Sequence, residues 1–311
     1  MPDTTPLVSV YMPTRNRAGL VTRAAASVLA QDRADLELLI VDDASADATP
    51  QVLARLAADD PRVRVLSMPR RGGAPAARNL ALQAARGRFV TGIDDDDEML
   101  PGRLGSLLEA FDPSYAFVCS GAWLHSGTWL RPSRTRAAVI TLDEQLFGDQ
   151  VGTQMLTLRE RVVEAGGFDE SLPAWQDYDL WTRLIERYGP ALRIAEPSYV
   201  QRVEAGTERV TERGPEGARR FIEKHAVRMS PAQLASQQLE LLMLERRRLR
   251  PAEAWRHLTP RTWRRALRYL LTSNFPGLRS MAERYRRWRW PLQLEARAGP
   301  DVGSTRDEGR S

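Results

Sequence analysis

Phe89-Val-Thr-Gly-Ile-Asp-Asp-Asp-Asp97 runs from apolar, β-prone residues straight into four consecutive carboxylates. An apolar run that stops so abruptly reads as a buried strand. Upstream, Leu36-Glu-Leu-Leu-Ile-Val-Asp-Asp43 repeats the design, an apolar strand that ends at an acid pair. In open α/β sheets ligands bind beyond the carboxyl ends of strands, so both acidic ends should face one crevice. An Asp after a strand can also cap the following helix, which leaves Asp42-Asp43 with two readings. Four in a row exceed what capping needs, because neighbouring carboxylates repel. The run therefore reads as a hard-cation site for Mg²⁺ or Mn²⁺, which take oxygen ligands and often bridge substrate phosphates. An EF-hand is excluded: the loop's sixth position is not Gly, and its twelfth is Gly105 rather than Glu.

Working outward, short β-rich runs alternate with helical ones, the pattern of an α/β domain on a largely parallel sheet. Strands are expected at residues 7–12, 36–41, 63–66 and 89–93. Helices are expected from Asn16, as N-cap, to Gln31, over 47–58, and in an Ala-rich stretch that Gly87 closes. Beyond the Asp run we expect a helix from Pro101 to Phe111, strands at 115–123 and 151–158, and a helix across 176–184. Residues 126–138, with Arg131, Arg134 and Arg136, read as a loop. Asp177 falls in the first turn of its helix, where an Asp is usually a cap or a dipole partner.

Composition narrows the class. At 311 residues, with 42% hydrophobic and 27% charged residues, the chain reads as one large globular domain plus an appendage. Its single cysteine, Cys119, excludes a disulfide framework and a multi-cysteine zinc site. No apolar run approaches the length of a membrane span, and the N-terminus lacks a signal-peptide pattern, so a cytoplasmic protein is expected. The formal charge of +5 hides an asymmetry: residues 246–297 hold 15 Arg against 3 Glu, on an otherwise acidic chain. Such a tail points to an anionic partner.

Six pieces in order resemble glycosyltransferase family 2, the inverting enzymes with a GT-A fold. They are Val8-Ser-Val-Tyr-Met-Pro-Thr-Arg-Asn16, Leu39-Ile-Val-Asp-Asp-Ala-Ser-Ala-Asp-Ala-Thr49, Gly73-Ala-Pro-Ala-Ala-Arg-Asn79 with Ala85-Arg-Gly87, the Asp run with Leu100-Pro101, Gly166-Gly-Phe-Asp-Glu170, and Gln176-Asp-Tyr-Asp-Leu-Trp181. No piece is specific alone; the order across residues 8–181 carries the resemblance. It implies a Rossmann-like, mostly parallel sheet flanked by helices, with a C-terminal helical extension. It places Pro13, Thr14, Arg15, Asp43 and Arg78 around the nucleotide of a sugar donor, although Arg78 also reads as a surface helix Arg. The Asp run matches the family's DxD, with Asp96 as metal ligand, Asp94 facing metal, ribose or sugar, and Asp95 on the donor side.

Inversion needs a base for the acceptor hydroxyl. The resemblance assigns that role to Asp177, preceded here by Gln176 where the family often has Glu. Gly167, Phe168, Trp175 and Gln176 are expected on the acceptor side; Trp175 and Trp181 can stack on sugars or serve as core. Asp179, two residues on, should point elsewhere. Many GT-A enzymes add a metal-ligating His after the base. None occurs at residues 198–206, so either Asp96, the diphosphate and water hold the metal, or Glu204 or His225 substitutes.

The basic end reads as helices over 233–248, 260–272 and 278–290, mixing Arg with Trp, Tyr and Leu, which is the composition of an interfacial membrane segment. Docking on an anionic membrane through 246–297 competes with simple packing on the catalytic domain; no nucleic-acid motif accompanies the charge. The expected organisation is a catalytic domain over 1–205, with a nucleotide-sugar half to about residue 100 and an acceptor half beyond it. A mobile loop over 206–217, a basic helical region over 218–297 and a disordered tail over 298–311 complete it. The expected activity is transfer of a sugar from a UDP-sugar or similar donor to a glycan or lipid-linked acceptor of the cell envelope, on the inner face of the cytoplasmic membrane. The rival reading is a catalytically silent relative that binds glycan or nucleotide. A nucleotidyltransferase is disfavoured because Pro13-Thr-Arg-Asn16 stands where its Gly-rich, basic loop belongs.

Overall fold

The computed structural model describes residues 5–152, 154–202 and 213–290. Its first half alternates β1 (Val8–Thr14), α1 (Val21–Leu29), β2 (Leu36–Asp42), α2 (Thr49–Asp59), β3 (Val63–Ser67), α3 (Ala74–Ala84) and β4 (Phe89–Gly92). The strands form a sheet in the order β3-β2-β1-β4, parallel throughout, and the short antiparallel β9 (Thr157–Leu158) closes its edge. All seven residues of β2 are buried, as an interior parallel strand covered on both faces requires. The carboxylate near its start, Glu37, is satisfied locally. Ser9 Oγ donates to it at 2.6 Å, the Arg86 amide at 2.7 Å and Arg64 at 2.5 Å. Burial works to raise its pKa, and these donors bring it below the ordinary carboxylate range.

The remaining elements are β5 (Glu98–Met99), α4 (Arg103–Glu109), β6 (Val118–Ser126), β7 (Trp129–Ser133), β8 (Ala138–Ile140), α5 (Leu142–Phe147), α6 (Arg159–Glu164), α7 (Gln176–Tyr188) and β10 (Ala191–Arg202). They build a second sheet in the order β5-β10-β6-β7, with β8 also on β10. Helices α8 (Gly214–His225), α9 (Pro231–Leu244), α10 (Pro251–Ala254), α11 (Trp263–Asn274) and α12 (Pro276–Arg289) follow. The GT-A fold expected from the sequence, with its C-terminal helices, is the fold observed.

Several local expectations are corrected. Asn16 caps nothing: α1 begins at Val21, and Asn16 sits at φ 54°, its side-chain oxygen accepting from the Ala46 amide at 2.8 Å. Residues 126–138 are not a loop, because β7 pairs antiparallel with β6 as a hairpin. The strand expected over 151–158 shrinks to its last two residues. The loop expected to Gly217 is already helical from Gly214; residues 206–212 and the tail 298–311 lie outside the described residues. Gly87 is no helix stop but a point of close approach, where a Cβ would lie 2.5 Å from the Ser9 backbone nitrogen. Gly87→Ala should therefore destabilise the fold by about 1–3 kcal/mol in a urea titration, the usual cost of overpacking. An unchanged midpoint would show that β1 and this turn have room to part.

Candidate active site

Strand ends and one helix start converge on a cleft of about 1,090 Å³ whose lining includes Pro13, Thr14, Arg15, Asp43, Arg78, the four acids Asp94 to Asp97, Trp175, Gln176 and Asp177. Of the thirteen donor, metal, base and acceptor residues that the resemblance implies, eleven are thus gathered in one place, the exceptions being Gly167 and Phe168. Asp43 is held by the turn before α3, accepting from the amides of Gly72 at 2.6 Å and Gly73 at 2.9 Å.

The four acids divide by role. Asp97 is buried and accepts from the Arg202 amide at 2.9 Å, anchoring β10 to the loop. Burial and the neighbouring Asp94 and Asp96 push its pKa well up. Asp95 accepts from Thr14 Oγ1 at 2.7 Å and lies 3.9 Å from Arg17. Burial raises it to about 6 against the Thr14 hydrogen bond. Burial thus makes two members of the run easier to protonate than an exposed carboxylate. The Asp94 amide donates to Tyr199 Oη at 3.2 Å.

Arg78 is the centre of the site. It is 4% exposed, and it reaches Asp94 at 2.7 Å and Asp177 at 3.2 Å. The surface reading of this Arg is overturned. It lies over the Phe168 ring, 5.3 Å from the centroid, an attractive arrangement for a cation. Phe168 itself is buried against Tyr11 and Trp181. Phe168 thus forms a shelf beneath Arg78, and neither Phe168 nor Gly167, both expected on the acceptor side, lines this cleft. Gly167, at φ 66°, lies so close to Asn79 that a Cβ would be 2.6 Å from its Oδ1. Asn79 in turn binds the Phe168 carbonyl at 2.9 Å and amide at 2.8 Å, a clamp that was visible in the sequence only as the neighbour of Arg78.

At the start of α7, burial raises the Asp177 pKa to about 6 while Arg78 pulls it down and Asp94 pushes it up. Asp179, two residues on, is fully buried and bonded to His225 Nε2 at 2.8 Å, with Lys224 at 2.9 Å and Arg183 at 2.8 Å. His225 thus docks α8 onto α7 and is not a metal ligand; Glu204 lies outside the described residues. Trp181 is core, 1% exposed. Trp175 lines the cleft at φ 65°, a left-handed conformation held by its contacts with Tyr178 and Phe221. Strain of this kind collects at functional sites.

The fold and this cleft define a glycosyltransferase of the GT-A class. Residues 9–167 match the profile of glycosyl transferase family 2, to which the chain belongs. A glycosyl transferase of Escherichia coli (strain K12) named for colanic acid biosynthesis, WcaA, is 32% identical over 265 residues, covering 81% of this chain and 92% of that protein. The solved structure of S. aureus TarS (residues 1–349) has the same fold, with TM-score 0.61 at 18% identity over 88% of this chain and 82% of that one. So does the mannosyltransferase PcManGT from Pyrobaculum calidifontis, in complex with GDP-Man and Mn²⁺, with TM-score 0.58 at 22% identity over 92% and 81%.

Arg78→Met would leave two carboxylates facing each other without their shared cation. Breaking a buried pair in this way costs about 3–5 kcal/mol, so a large fall in melting temperature is expected on thermal unfolding. A melting temperature equal to that of the native chain would remove Arg78 from this structural role.

Proposed function

We propose that the chain is an inverting transferase that moves a sugar from a nucleoside-diphosphate donor, a UDP-sugar, to a hydroxyl of a cell-envelope glycan, free or lipid-linked. The observation that carries this is the common attachment of Asp94 and Asp177 to one guanidinium. It holds a base on the acceptor side within one side chain's width of the acids on the donor side. WcaA, named for colanic acid biosynthesis, supports the envelope glycan, and a TarS structure solved with UDP-GlcNAc supports the uridine donor.

Pro13, Thr14, Arg15 and Asp43 then surround the base and ribose, with Arg78 and Asp95 behind the diphosphate. In a single displacement the acceptor oxygen bonds to the anomeric carbon, the bond to the diphosphate oxygen breaks with its electron pair, and the acceptor proton passes to Asp177. No enzyme nucleophile is needed, so configuration inverts. Because the leaving group is an anion, charge must be met where it grows.

Asp94 and Asp96 offer the hard oxygen donors that Mg²⁺ or Mn²⁺ prefers. Among the described residues no third His, Cys, Asp or Glu joins them in a ready-made cluster. That set fits a cation held by one or two carboxylates plus substrate phosphates and water. When bound, the cation neutralises charge on the departing diphosphate. PcManGT, solved with Mn²⁺, agrees with this assignment. EDTA should abolish transfer and Mn²⁺ restore it; full activity in excess EDTA would remove the metal from the mechanism.

The base sets the pH dependence. Asp177 acts when deprotonated, so kcat/KM should rise with pH through about 6 and level off above. Asp177→Asn should lower kcat by about 10²–10⁴-fold, the usual worth of a positioned base, while UDP affinity is kept. An unchanged kcat in that variant would move the base elsewhere.

The C-terminal helices fit a membrane face. Trp263, Leu267, Leu271, Phe275, Leu278, Met281, Tyr285 and Trp288 recur every three or four residues along α11 and α12, and all are exposed. Arg264, Arg268, Arg284, Arg287 and Arg289 are exposed beside them. An apolar stripe flanked by Arg is what an anionic lipid surface binds. No helix among the described residues is long and apolar enough to cross a membrane, so the proposed attachment is peripheral, on the inner face of the cytoplasmic membrane. The protein should float with phosphatidylglycerol vesicles and not with phosphatidylcholine, and a Met281→Ser/Tyr285→Ser/Trp288→Ser variant should float less. Failure of the native chain to float would cancel the attachment.

A further inference from the structure

A second cavity, of about 890 Å³, opens between the α5–Gln150 segment, the start of α7, and helices α9 and α11. Its lining includes Gln150, Ser236, Glu240 and Arg265, and it shares Trp175 and Asp177 with the donor cleft. We infer that this second cavity is the acceptor site, that its ligand is the terminal saccharide of the acceptor, and that the C-terminal helices supply its outer wall. The inference rests on the glycosyltransfer reading above and names the substrate end of the same reaction.

Three observations carry it. Asp177 stands where the two cavities meet, so a hydroxyl entering from the second finds the base before it finds the donor. Oδ1 of Asp177 is buried against Arg78 at 3.2 Å, yet the side chain keeps 34% of its surface exposed, so the carboxylate has an accessible edge for an incoming proton. The lining chemistry is that of a sugar site: carboxylates, guanidinium groups, amides and hydroxyls for saccharide hydroxyl groups, with the half-buried Trp175 for the apolar side of a ring. The volume falls within the range of ligand pockets.

The wall is a fixed one. Gln237 is buried and donates to the Leu146 carbonyl at 2.8 Å and to Tyr178 Oη at 2.7 Å. Ser236 Oγ donates to the Phe147 carbonyl at 2.6 Å, and Gln233 Nε2 to the Asp143 carbonyl at 2.9 Å. Arg265 and Glu240, an ion pair, link α11 to α9 at the cavity. Helix α9 is therefore built into the catalytic domain, and the helical appendage serves substrate binding as well as the proposed attachment.

The test compares Glu240→Trp, which fills the cavity from a half-buried position, with Gln238→Trp, which faces solvent on the same helix. Two quantities are read. One is incorporation of radiolabelled UDP-glucose, UDP-galactose or UDP-N-acetylglucosamine into membranes of the source organism with this gene deleted. The other is the affinity for UDP with Mn²⁺. Glu240→Trp should cut incorporation by about tenfold or more, with UDP affinity and melting temperature retained, while Gln238→Trp changes none of them. Arg265→Ala, which enlarges the cavity, should raise the KM for the membrane acceptor with kcat near native. Native incorporation by Glu240→Trp overturns the inference, as does loss of UDP affinity together with incorporation, since the position would then be structural. A native chain that neither binds UDP nor incorporates label defeats the glycosyltransfer reading instead.

Discussion

Arg78 places a full positive charge where only 4% of the side chain meets solvent, and a charge so placed is tolerable only with partners. Its partners come from distant parts of the chain: Asp94 at the end of β4 and Asp177 at the start of α7. The ion pairs therefore join the nucleotide half of the fold to the acceptor half at the point where chemistry is proposed. The shelf beneath the guanidinium follows from the same demand. Phe168 offers its ring face, Asn79 fixes the Phe168 backbone, and Trp181 and Tyr11 fix the ring.

A second buried cation orders the second sheet. Arg103 is fully buried and has no carboxylate partner in its hydrogen bonds. It donates to Ser120 Oγ at 2.6 Å, Ser198 Oγ at 3.0 Å and the Gln154 carbonyl at 2.7 Å. Burial lowers its pKa to about 10, which still leaves it charged at neutral pH. It also lies 5.1 Å from the Tyr199 ring centroid, and Tyr199 Oη meets the Asp94 amide. The acid run is thus held from both sides: Asp94 through Tyr199 and Arg78, Asp95 through Thr14, and Asp97 through the backbone of β10.

Much of this was legible in the sequence. The apolar strands ending in acids, and their convergence on one crevice, follow from hydropathy and the geometry of open sheets, and both are observed. The second sheet was not legible, because its pairings are non-local. β10 carries Glu196 and Pro197 at a register shift between Ile194 and Tyr199, so it shows no clean alternation, and β7 looked like a loop because it is short, contains Arg131 and Pro132, and is only partly covered after Trp129. The places of Phe168 and Trp181 were not decided by the sequence for a related reason. An aromatic beside a catalytic motif can face substrate or support a neighbour, and only the packing around Arg78 decides. Arg78, expected near the nucleotide, kept a second reading as a surface helix Arg because neither of its acid partners lies within helical reach along the chain.

The Gln237–Tyr178 hydrogen bond has a consequence for inheritance. The family profile ends at residue 167, whereas α9 and α11 lie well beyond it. The walls of the donor cleft come mostly from the N-terminal half; one wall of the neighbouring cavity comes from helices encoded much later. A gene that exchanged the segment after α8 for another helical segment able to grip Tyr178 would keep the acids, Arg78 and their bonded partners. It would present a different surface to whatever enters from the other side. Divergence in this architecture can therefore proceed at one end of the gene while the other is held still.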